Sequence, residues 1–289
     1  MFFSEKTGCF ICALKKNDNS YSSIHSFFSI ISTKSIIFVH KNRNLMFSRS
    51  IQHFLKSNNY PSLSPQAVFF DMDGVLFDSM PFHASAWVQA MRDMNIPFTA
   101  FEAYMNEGRT GDSTIDGAFM RTYGRNATPD EKQKIYKLKT NYFEAESKTT
   151  PMFFALEMLE YIKSKGLQIF LVTGSGQSTL IDSLQLYFPG IFTKENMITA
   201  YDVSHGKPHP EPYLKALAKS GLQAWEVVVI ENAPLGIQSA KAAGLYTFGL
   251  DTGPLGGGVL HTAGADIVLT NVEELYNRWD DFILNCITQ

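Results

Sequence analysis

The 289-residue chain has little of several features that mark whole classes of protein. It carries only three cysteines, too few for a disulfide framework. Its formal net charge is -3, so it lacks the basic surplus typical of nucleic-acid-binding proteins. No apolar run reaches the ~18–20 residues that span a bilayer. We therefore expect a protein without disulfides, without nucleic-acid partners and without a membrane segment.

The cysteines and the first residues also bear on location. Cys9 and Cys12 form a single C-x-x-C pair without a second pair at zinc-site spacing, which favours incidental thiols. The unpaired Cys286 fits a reducing compartment. The start of the chain is charged at Glu5 and Lys6 and lacks the apolar core of a secretory signal. These features predict a cytoplasmic protein, which we expect to be a monomer.

Residues 1–64 differ in composition from the rest of the chain. They are rich in Ser, Asn, Lys, Phe and Ile and show no sustained period of 3.6 or 2. We predict an N-terminal extension with two open alternatives, a disordered tail or a mis-annotated start with the true start at Met46. Pro61 and Pro65 mark a linker at its end.

From residue 65 onward, short apolar segments alternate with amphipathic ones. Six of them are predicted strands: AVFF at 67–70, LQIFLV at 167–172, MITA near Met197, EVVVI at 226–230, YTFGL near Tyr246 and DIVL near Asp266. Predicted helices lie at 153–165, 178–187, 235–243 and 272–282. Because the strands consist mainly of continuous apolar runs and alternate with helices, they predict an α/β fold with a Rossmann-like, doubly wound parallel sheet.

One region interrupts this alternation. Residues 81–149 contain helical segments such as PFHASAWVQAMRDMN and DEKQKIYKLKTNYFEAE without a strand between them. We predict that these residues form an α-helical cap domain inserted into the sheet domain. The sheet domain then comprises residues 65–80 and 150–289.

Polar residues follow three of the predicted strands, and another lies in a loop. They are Asp71-x-Asp73 after the first strand, Thr173-Gly174-Ser175 after the second, Glu231-Asn232 after the fourth, and Lys207 in a proline-bounded loop. In open parallel sheets, ligands bind beyond the carboxyl ends of the strands. We therefore expect these side chains to meet at one edge of the sheet.

This residue set suits a phosphate group and a divalent cation. Oxygen donors that favour Mg²⁺ over zinc come from Asp71, Asp73, Glu231 and Asn232. Lys207 supplies a positive charge, and phosphate oxygens can be bound by Thr173 and by the backbone amides of Gly174 and Ser175. Asp71 could attack phosphorus, and Asp73 could serve as general acid and base.

The four motifs D-x-D-G-V-L-F-D-S, V-T-G-S, G-K-P-x-P and E-N-A-P-L-G resemble, in this order, those of the haloacid dehalogenase (HAD) superfamily. The helical insert resembles the C1-type cap of its β-phosphoglucomutase-like subfamily. The resemblance implies that Asp71 is the nucleophile and Asp73 the general acid/base, and that Thr173 and Lys207 bind the transferring phosphoryl group. It places Mg²⁺ on Asp71, the Asp73 carbonyl and Asn232, with Glu231 close by.

The chain departs from these relatives at positions that bear on the substrate. Gly111 stands about where phosphomutases carry a phosphate-binding arginine, and Asn232 replaces an aspartate of many relatives. Glu107 of the insert could supply the missing carboxylate to the metal. The combination of E-G-R-T-G with E-N-A-P-L-G resembles a bacterial branch that hydrolyses inorganic pyrophosphate. Arg109 and Lys139 would then hold the leaving phosphate.

Three further features shape the expected function. His83 and Trp87 resemble residues of the mutase cap helix, which keeps a sugar-phosphate phosphatase or a phosphomutase as the alternative and adds His83 to the expected substrate-binding residues. A non-catalytic protein on the same fold is disfavoured because all four motifs carry their functional residues. Where relatives usually carry Pro-Gly after the cap, this chain has Phe153-Phe154. We expect a Mg²⁺-dependent phosphohydrolase acting on a small phosphorylated substrate, most specifically pyrophosphate.

Overall fold

A computed structural model describes residues 45–146, 148–176 and 178–287. In these residues a six-stranded, all-parallel sheet has the order β3-β2-β1-β4-β5-β6. Its strands are β1 (Ala67–Phe70), β2 (Gln168–Val172), β3 (Met197–Ile198), β4 (Val227–Glu231), β5 (Tyr246–Leu250) and β6 (Ile267–Leu269). Each strand falls on a segment expected from the sequence. The prediction of an α/β parallel-sheet fold is confirmed.

The N-terminal extension is partly structured. Residues 45–58 form a helix, α1, whose Phe54 packs edge-on against Tyr246 with ring centroids 5.3 Å apart. Within residues 1–64, the helix at 45–58 is ordered and buries Phe54, so the disordered-tail alternative does not hold for this helix. Residues 1–44 lie outside the described residues, together with both thiols of the C-x-x-C pair.

The insert contains four helices among its described residues. They are α2 (Met80–Asp93), α3 (Ala100–Met105), α4 (Gly111–Tyr123) and α5 (Pro129–Glu146). Thr99 begins α3 with a capping box to Glu102, which satisfies two backbone N–H groups. The helices share a hydrophobic core that includes Met91, Phe119 and Ile135. The insert thus has a core of its own, and its status as a separate domain stays a prediction.

The remaining helices cover the sheet. They are α6 (Ala155–Ser164), α7 (Ser178–Tyr187), α8 (Glu211–Ser220), α9 (Pro234–Ala242), α10 (Gly257–Ala263) and α11 (Val272–Ile287), with short 3₁₀ turns at Lys194–Asn196, Ala200–Asp202 and Ala224–Glu226. Phe69 of β1 packs in one cluster with Tyr213 of α8 and Ala240 of α9. Side chains alternate along a strand, so Val68 and Phe70 face the opposite side. Among the described helices none is both long and apolar enough to cross a membrane.

The topology fixes where a ligand can bind. β1 lies between β2 and β4, so the strand order reverses direction beside it. The Asp71 N–H continues the β1–β4 ladder by donating to the Ile230 carbonyl at 3.0 Å. Residues that follow β1, β2 and β4 therefore project from neighbouring strand ends into one crevice.

Candidate active site

Lys207 joins the ends of three strands. Its Nζ donates to Asp71 Oδ1 at 2.5 Å, to Glu231 Oε1 at 2.6 Å and to the Val172 carbonyl at 2.9 Å. All three charged side chains are buried, since Asp71 is 4%, Lys207 2% and Glu231 0% exposed. Moving one of these side chains away would leave the buried charges of the others without a partner. The network is therefore rigid.

Glu231 is held from the opposite side as well. Its Oε1 also accepts from the Tyr213 hydroxyl at 2.9 Å, and its Oε2 accepts from the N–H groups of Asn232 and Ala233 at 3.0 Å. These contacts orient the carboxylate towards Lys207. That Glu231 also contacts a metal ion stays a prediction.

The loop that carries Lys207 is fixed by a carboxylate on the protein surface. Glu211 accepts from the N–H groups of Ser204 and His205 at 2.9 Å and from the Lys215 ammonium at 2.9 Å. Its Oε2 also lies 3.0 Å from His205 Nδ1. His205, His209 and Glu211 lie close enough to share a metal ion, but this carboxylate already accepts four donors, one of them cationic. We therefore assign the cluster to holding the loop.

The charges at the sheet edge do not balance. Burial, together with the Glu231 and Asp73 charges, raises the pKa of Asp71 to about 8, although Lys207 lowers it. The pKa of Lys207 is nevertheless raised, because Asp71 and Glu231 together outweigh the burial of its ammonium. One ammonium shared by several carboxylates cannot neutralise them all. The physical result is a surplus of carboxylates that only bound protons or a cation can neutralise.

Glu107 of the insert adds to this surplus. It is buried, and Asn232 Nδ2 donates to its Oε1 at 2.9 Å. Burial raises the pKa of Glu107 well above its usual range, and the Asp71 carboxylate raises it further. The other amide atom, Asn232 Oδ1, is buried without a hydrogen-bond partner among the described residues. An orphaned oxygen beside clustered carboxylates is a donor set that fits a hard divalent cation.

A hydrogen-bonded chain connects the insert to Asp73. Lys139 Nζ lies 2.8 Å from His83 Nδ1, and His83 Nε2 lies 3.2 Å from Asp73 Oδ1. The Ser79 hydroxyl also donates to Asp73 Oδ1. These distances fit a neutral His83 that accepts from Lys139 at Nδ1 and donates to Asp73 from Nε2.

The pKa values of this chain follow from its burial. Burial would raise the pKa of Asp73, but His83 and the Ser79 hydroxyl lower it below its usual value. Burial and the Lys139 charge lower the pKa of His83. Burial also lowers the pKa of Lys139 to about 7. His83 and Ser79 therefore favour the carboxylate form of Asp73 while the cavity holds no substrate.

A cavity of about 70 Å³ lies between the sheet edge and the insert. It is lined by eight of the predicted site residues: Asp71, Asp73, His83, Glu107, Arg109, Lys139, Gly174 and Ser175. The other four, Thr173, Lys207, Glu231 and Asn232, are buried next to this lining. The Thr173 hydroxyl accepts from the Ser175 N–H at 3.0 Å. The structure thus brings the predicted residues of core and insert to one cleft.

The loop at residues 106–110 lies directly on Lys207. Gly108 has φ +86°, and a Cβ there would come within 2.8 Å of Lys207 Cδ. A glycine is therefore required both by the backbone and by the close approach. Arg109 follows in the cavity wall, and its Nε is buried without a partner among the described residues.

Sequence reasoning missed two contributors to the site. The Ser79 hydroxyl bonds Asp73, and Tyr136 lines the cavity. Ser79 closes the first motif, so its position in D-x-D-G-V-L-F-D-S was a usable signal. Tyr136 stands three residues before Lys139, and side chains three apart share a helix face. The same helix face thus carried both residues into the cleft.

Comparison with known proteins agrees with the motifs. The haloacid dehalogenase-like hydrolase family matches residues 65–244. An uncharacterized Haemophilus influenzae protein is 30% identical over 204 residues, which are 67% of this chain and 96% of that protein. The phosphorylated carbohydrates phosphatase of Thermotoga maritima is 28% identical over 73% of this chain and 97% of its own length.

A solved structure is more similar. A Bacteroides vulgatus protein, provisionally described as a beta-phosphoglucomutase, is 45% identical with a TM-score of 0.81. The match covers 84% of this chain and 99% of that protein. The chain therefore belongs to the haloacid dehalogenase-like hydrolase family, as its four motifs predicted, and its phosphatase-named relative supports a phosphatase within that family.

Proposed function

We propose that this protein is a Mg²⁺-dependent phosphohydrolase that cleaves inorganic pyrophosphate through an aspartyl-phosphate on Asp71. The observation that carries the proposal is the hydrogen bond from Asn232 to Glu107, which joins the insert to the sheet edge above the predicted metal donors. With the cleft closed in this way, the remaining cavity measures about 70 Å³. A carboxylate of the insert placed beside the predicted metal donors leaves less room there for a large organic group than for a compact inorganic anion.

The cation would be held by oxygen donors from both walls. These are Asp71, the Asp73 carbonyl, Asn232 Oδ1 and the carboxylate of Glu107. When bound, Mg²⁺ would neutralise the surplus negative charge and that of the phosphate oxygens. The sequence places Asn232 where many relatives carry an aspartate, and Glu107 then restores the missing charge from the insert.

The reaction itself uses residues of the sheet edge. Lys207 holds Asp71 Oδ1, which aims the carboxylate into the cavity. Asp71 attacks phosphorus, and the bond from that phosphorus to the leaving phosphate breaks. Water then attacks the aspartyl-phosphate, and the phosphorus–Asp71 bond breaks to release the second phosphate and regenerate the carboxylate. The Gly174 backbone amide would bind an oxygen of the transferring group, since the Ser175 N–H already donates to the Thr173 hydroxyl.

Asp73 serves both steps as a proton carrier. In its protonated form it donates to the leaving phosphate, and as a carboxylate it then takes a proton from the attacking water. His83 and Ser79 hold it in place. Lys139 and Arg109 face the cavity from the insert and would bind the leaving phosphate.

The alternative is a sugar-phosphate phosphatase or a phosphomutase. The hydrogen-bonded series from Lys139 through His83 to Asp73 supports this alternative, because these polar groups could bind a sugar hydroxyl as well as a phosphate. The likeness to the Bacteroides vulgatus protein points the same way. None of the three proteins compared above is named as a pyrophosphatase, so the substrate rests on the site itself.

Substrate profiling tests the proposal. Phosphate release from pyrophosphate is measured with Mg²⁺ and compared with a panel of glucose 1-phosphate, glucose 6-phosphate and glycerol phosphate. We expect a kcat/KM for pyrophosphate at least about tenfold above that of any organic phosphate, a difference of about 1.4 kcal/mol in the barrier. Equal or faster turnover of a sugar phosphate would establish the alternative.

A further inference from the structure

Tyr136 and Gly111 make an unusually close contact in the wall of the cavity. A Cβ at Gly111, the first residue of α4, would lie 2.4 Å from both Cδ2 and Cε2 of the Tyr136 ring. The backbone of Gly111 does not itself demand glycine, since its φ lies outside the left-handed region. The absence of a side chain at 111 therefore serves the ring, because no side chain can coexist with it in this position.

The ring is fixed by packing on the insert. Tyr136 packs against the hydrophobic core of the insert, and its ring centroid lies 6.5 Å from that of Trp87. Burial raises the pKa of the Tyr136 phenol above its usual value. A neutral aromatic ring held in this way is a rigid boundary, because moving it would open a void beside Trp87 and α4.

The position of this boundary relates it to the leaving group. Tyr136 and Lys139 stand three residues apart on α5 and both line the cavity, with Lys139 linked through His83 to Asp73. The nucleophile Asp71 lies in the opposite wall. In an in-line displacement the leaving group departs on the side away from Asp71, towards the wall of the insert to which Tyr136 and Lys139 belong.

We propose that the Tyr136 ring, seated on Gly111, is the specificity-determining wall that limits the leaving group to the size of inorganic phosphate. This inference rests on the proposed pyrophosphatase function and deepens it. Glu107 and Asn232 close the cleft, whereas Tyr136 sets how much room remains for the part of the substrate that departs. Removing the ring should admit an organic leaving group without disturbing the phosphoryl-transfer residues.

The test compares substrate preference between variants. Tyr136→Ala should raise kcat/KM for glycerol phosphate and glucose 1-phosphate relative to pyrophosphate by at least about tenfold, or 1.4 kcal/mol of barrier. Tyr136→Phe should keep the wild-type ratio, because the ring and not the hydroxyl forms the wall. Gly111→Ala should shift the ratio in the same direction as Tyr136→Ala, since it pushes the ring away.

Tyr142 provides a matched control on the same helix. Its hydroxyl bonds Asp93 outside the cavity, so Tyr142→Ala should leave the substrate ratio unchanged. Thermal melting checks that each variant folds, and the ratio of two substrates on one preparation is independent of the folded fraction. A wild-type ratio in both Tyr136→Ala and Gly111→Ala overturns the inference. Absence of pyrophosphate preference in the wild type would instead overturn the proposed function.

Discussion

The two walls of the cleft are built in opposite ways. At the sheet edge, one lysine connects Asp71, Glu231 and the Val172 carbonyl, and nothing in this network is more than 4% exposed. On the insert, the residues facing the cavity are carried by helices and a loop, and they reach the sheet edge through single hydrogen bonds such as His83–Asp73. The sheet thus holds Asp71 through a buried network, whereas the insert contacts Asp73 and Asn232 through single hydrogen bonds.

The walls also differ in charge. The sheet edge has more carboxylates than it can neutralise, and the insert supplies the cations Lys139 and Arg109 to the cavity. Glu107 is the exception, since it belongs to the insert but places a carboxylate beside those of the sheet edge. A divalent cation explains the exception, because it would draw donors from both walls. The comparison therefore predicts large effects for the sheet edge and graded effects for the insert.

The largest effect is expected from the nucleophile of the sheet edge. Asp71→Asn keeps the size of the side chain and one acceptor oxygen for Lys207 but removes the attacking carboxylate. We expect kcat for pyrophosphate to fall by at least about 10⁴-fold, in the range seen when nucleophiles are removed. The measurement is steady-state phosphate release with Mg²⁺. Persistence of Mg²⁺-dependent turnover near the wild-type rate would refute Asp71 as the nucleophile.

A smaller effect is expected from the carboxylate of the insert. Glu107→Gln keeps an acceptor for Asn232 but removes the charge, so we expect turnover to fall about 10–100-fold and the half-saturating Mg²⁺ concentration to rise. Titrating Mg²⁺ at fixed pyrophosphate gives both quantities. Glu144→Gln, an exposed position on α5, is the control and should behave as the wild type. An unchanged Mg²⁺ requirement in Glu107→Gln would show that Glu107 does not bind the metal.

Lys139 of the insert should make kcat/KM depend on pH. With a pKa of about 7, Lys139 is charged below pH 7 and neutral above it. We expect the ratio of kcat/KM between wild type and Lys139→Gln to be about tenfold or more at pH 6, the value of one charged hydrogen bond, and to decline above pH 7. Lys139→Gln also removes a charge that lowers the pKa values of His83 and Asp73, so the ratio reports the loss of Lys139 together with its effect on these two groups. A ratio constant from pH 6 to 9 would contradict the assignment.

The smallest effect is expected on stability, at Phe154 in the segment that connects the insert to the rest of the sheet domain. Phe154 has φ +67°, the left-handed conformation that glycine favours, at the position where relatives usually carry Pro-Gly. Its ring packs against Tyr276 at 5.3 Å. We expect Phe154→Gly to be more stable than Phe154→Ala by about 1 kcal/mol, the reverse of the usual order, because both lose the ring but only alanine keeps the strain. Chemical denaturation of the two variants measures the difference, and an alanine variant as stable as the glycine variant would contradict it.

Sequence patterns were sufficient for the sheet and for the chemistry that it carries. The runs AVFF and VVVI are apolar at every position, which occurs when both faces of a parallel strand are buried. Polar residues directly after such strands must collect at one edge, so Asp71, Thr173 and Glu231 were predictable as neighbours. The start of the folded region could not be predicted from the sequence, because the packing of Phe54 on Tyr246 joins residues far apart in the chain.

The sequence by itself determined the fold class, the family and the set of residues that can act on a phosphate group, because each follows from local periodicity or from a motif read in order. Only the tertiary structure decided that Asn232 bonds Glu107, that Lys139 reaches Asp73 through His83, and that Tyr136 rests on Gly111. The physical reason is that these contacts join helices and loops whose relative positions depend on side-chain packing across the whole insert. No local pattern records that packing.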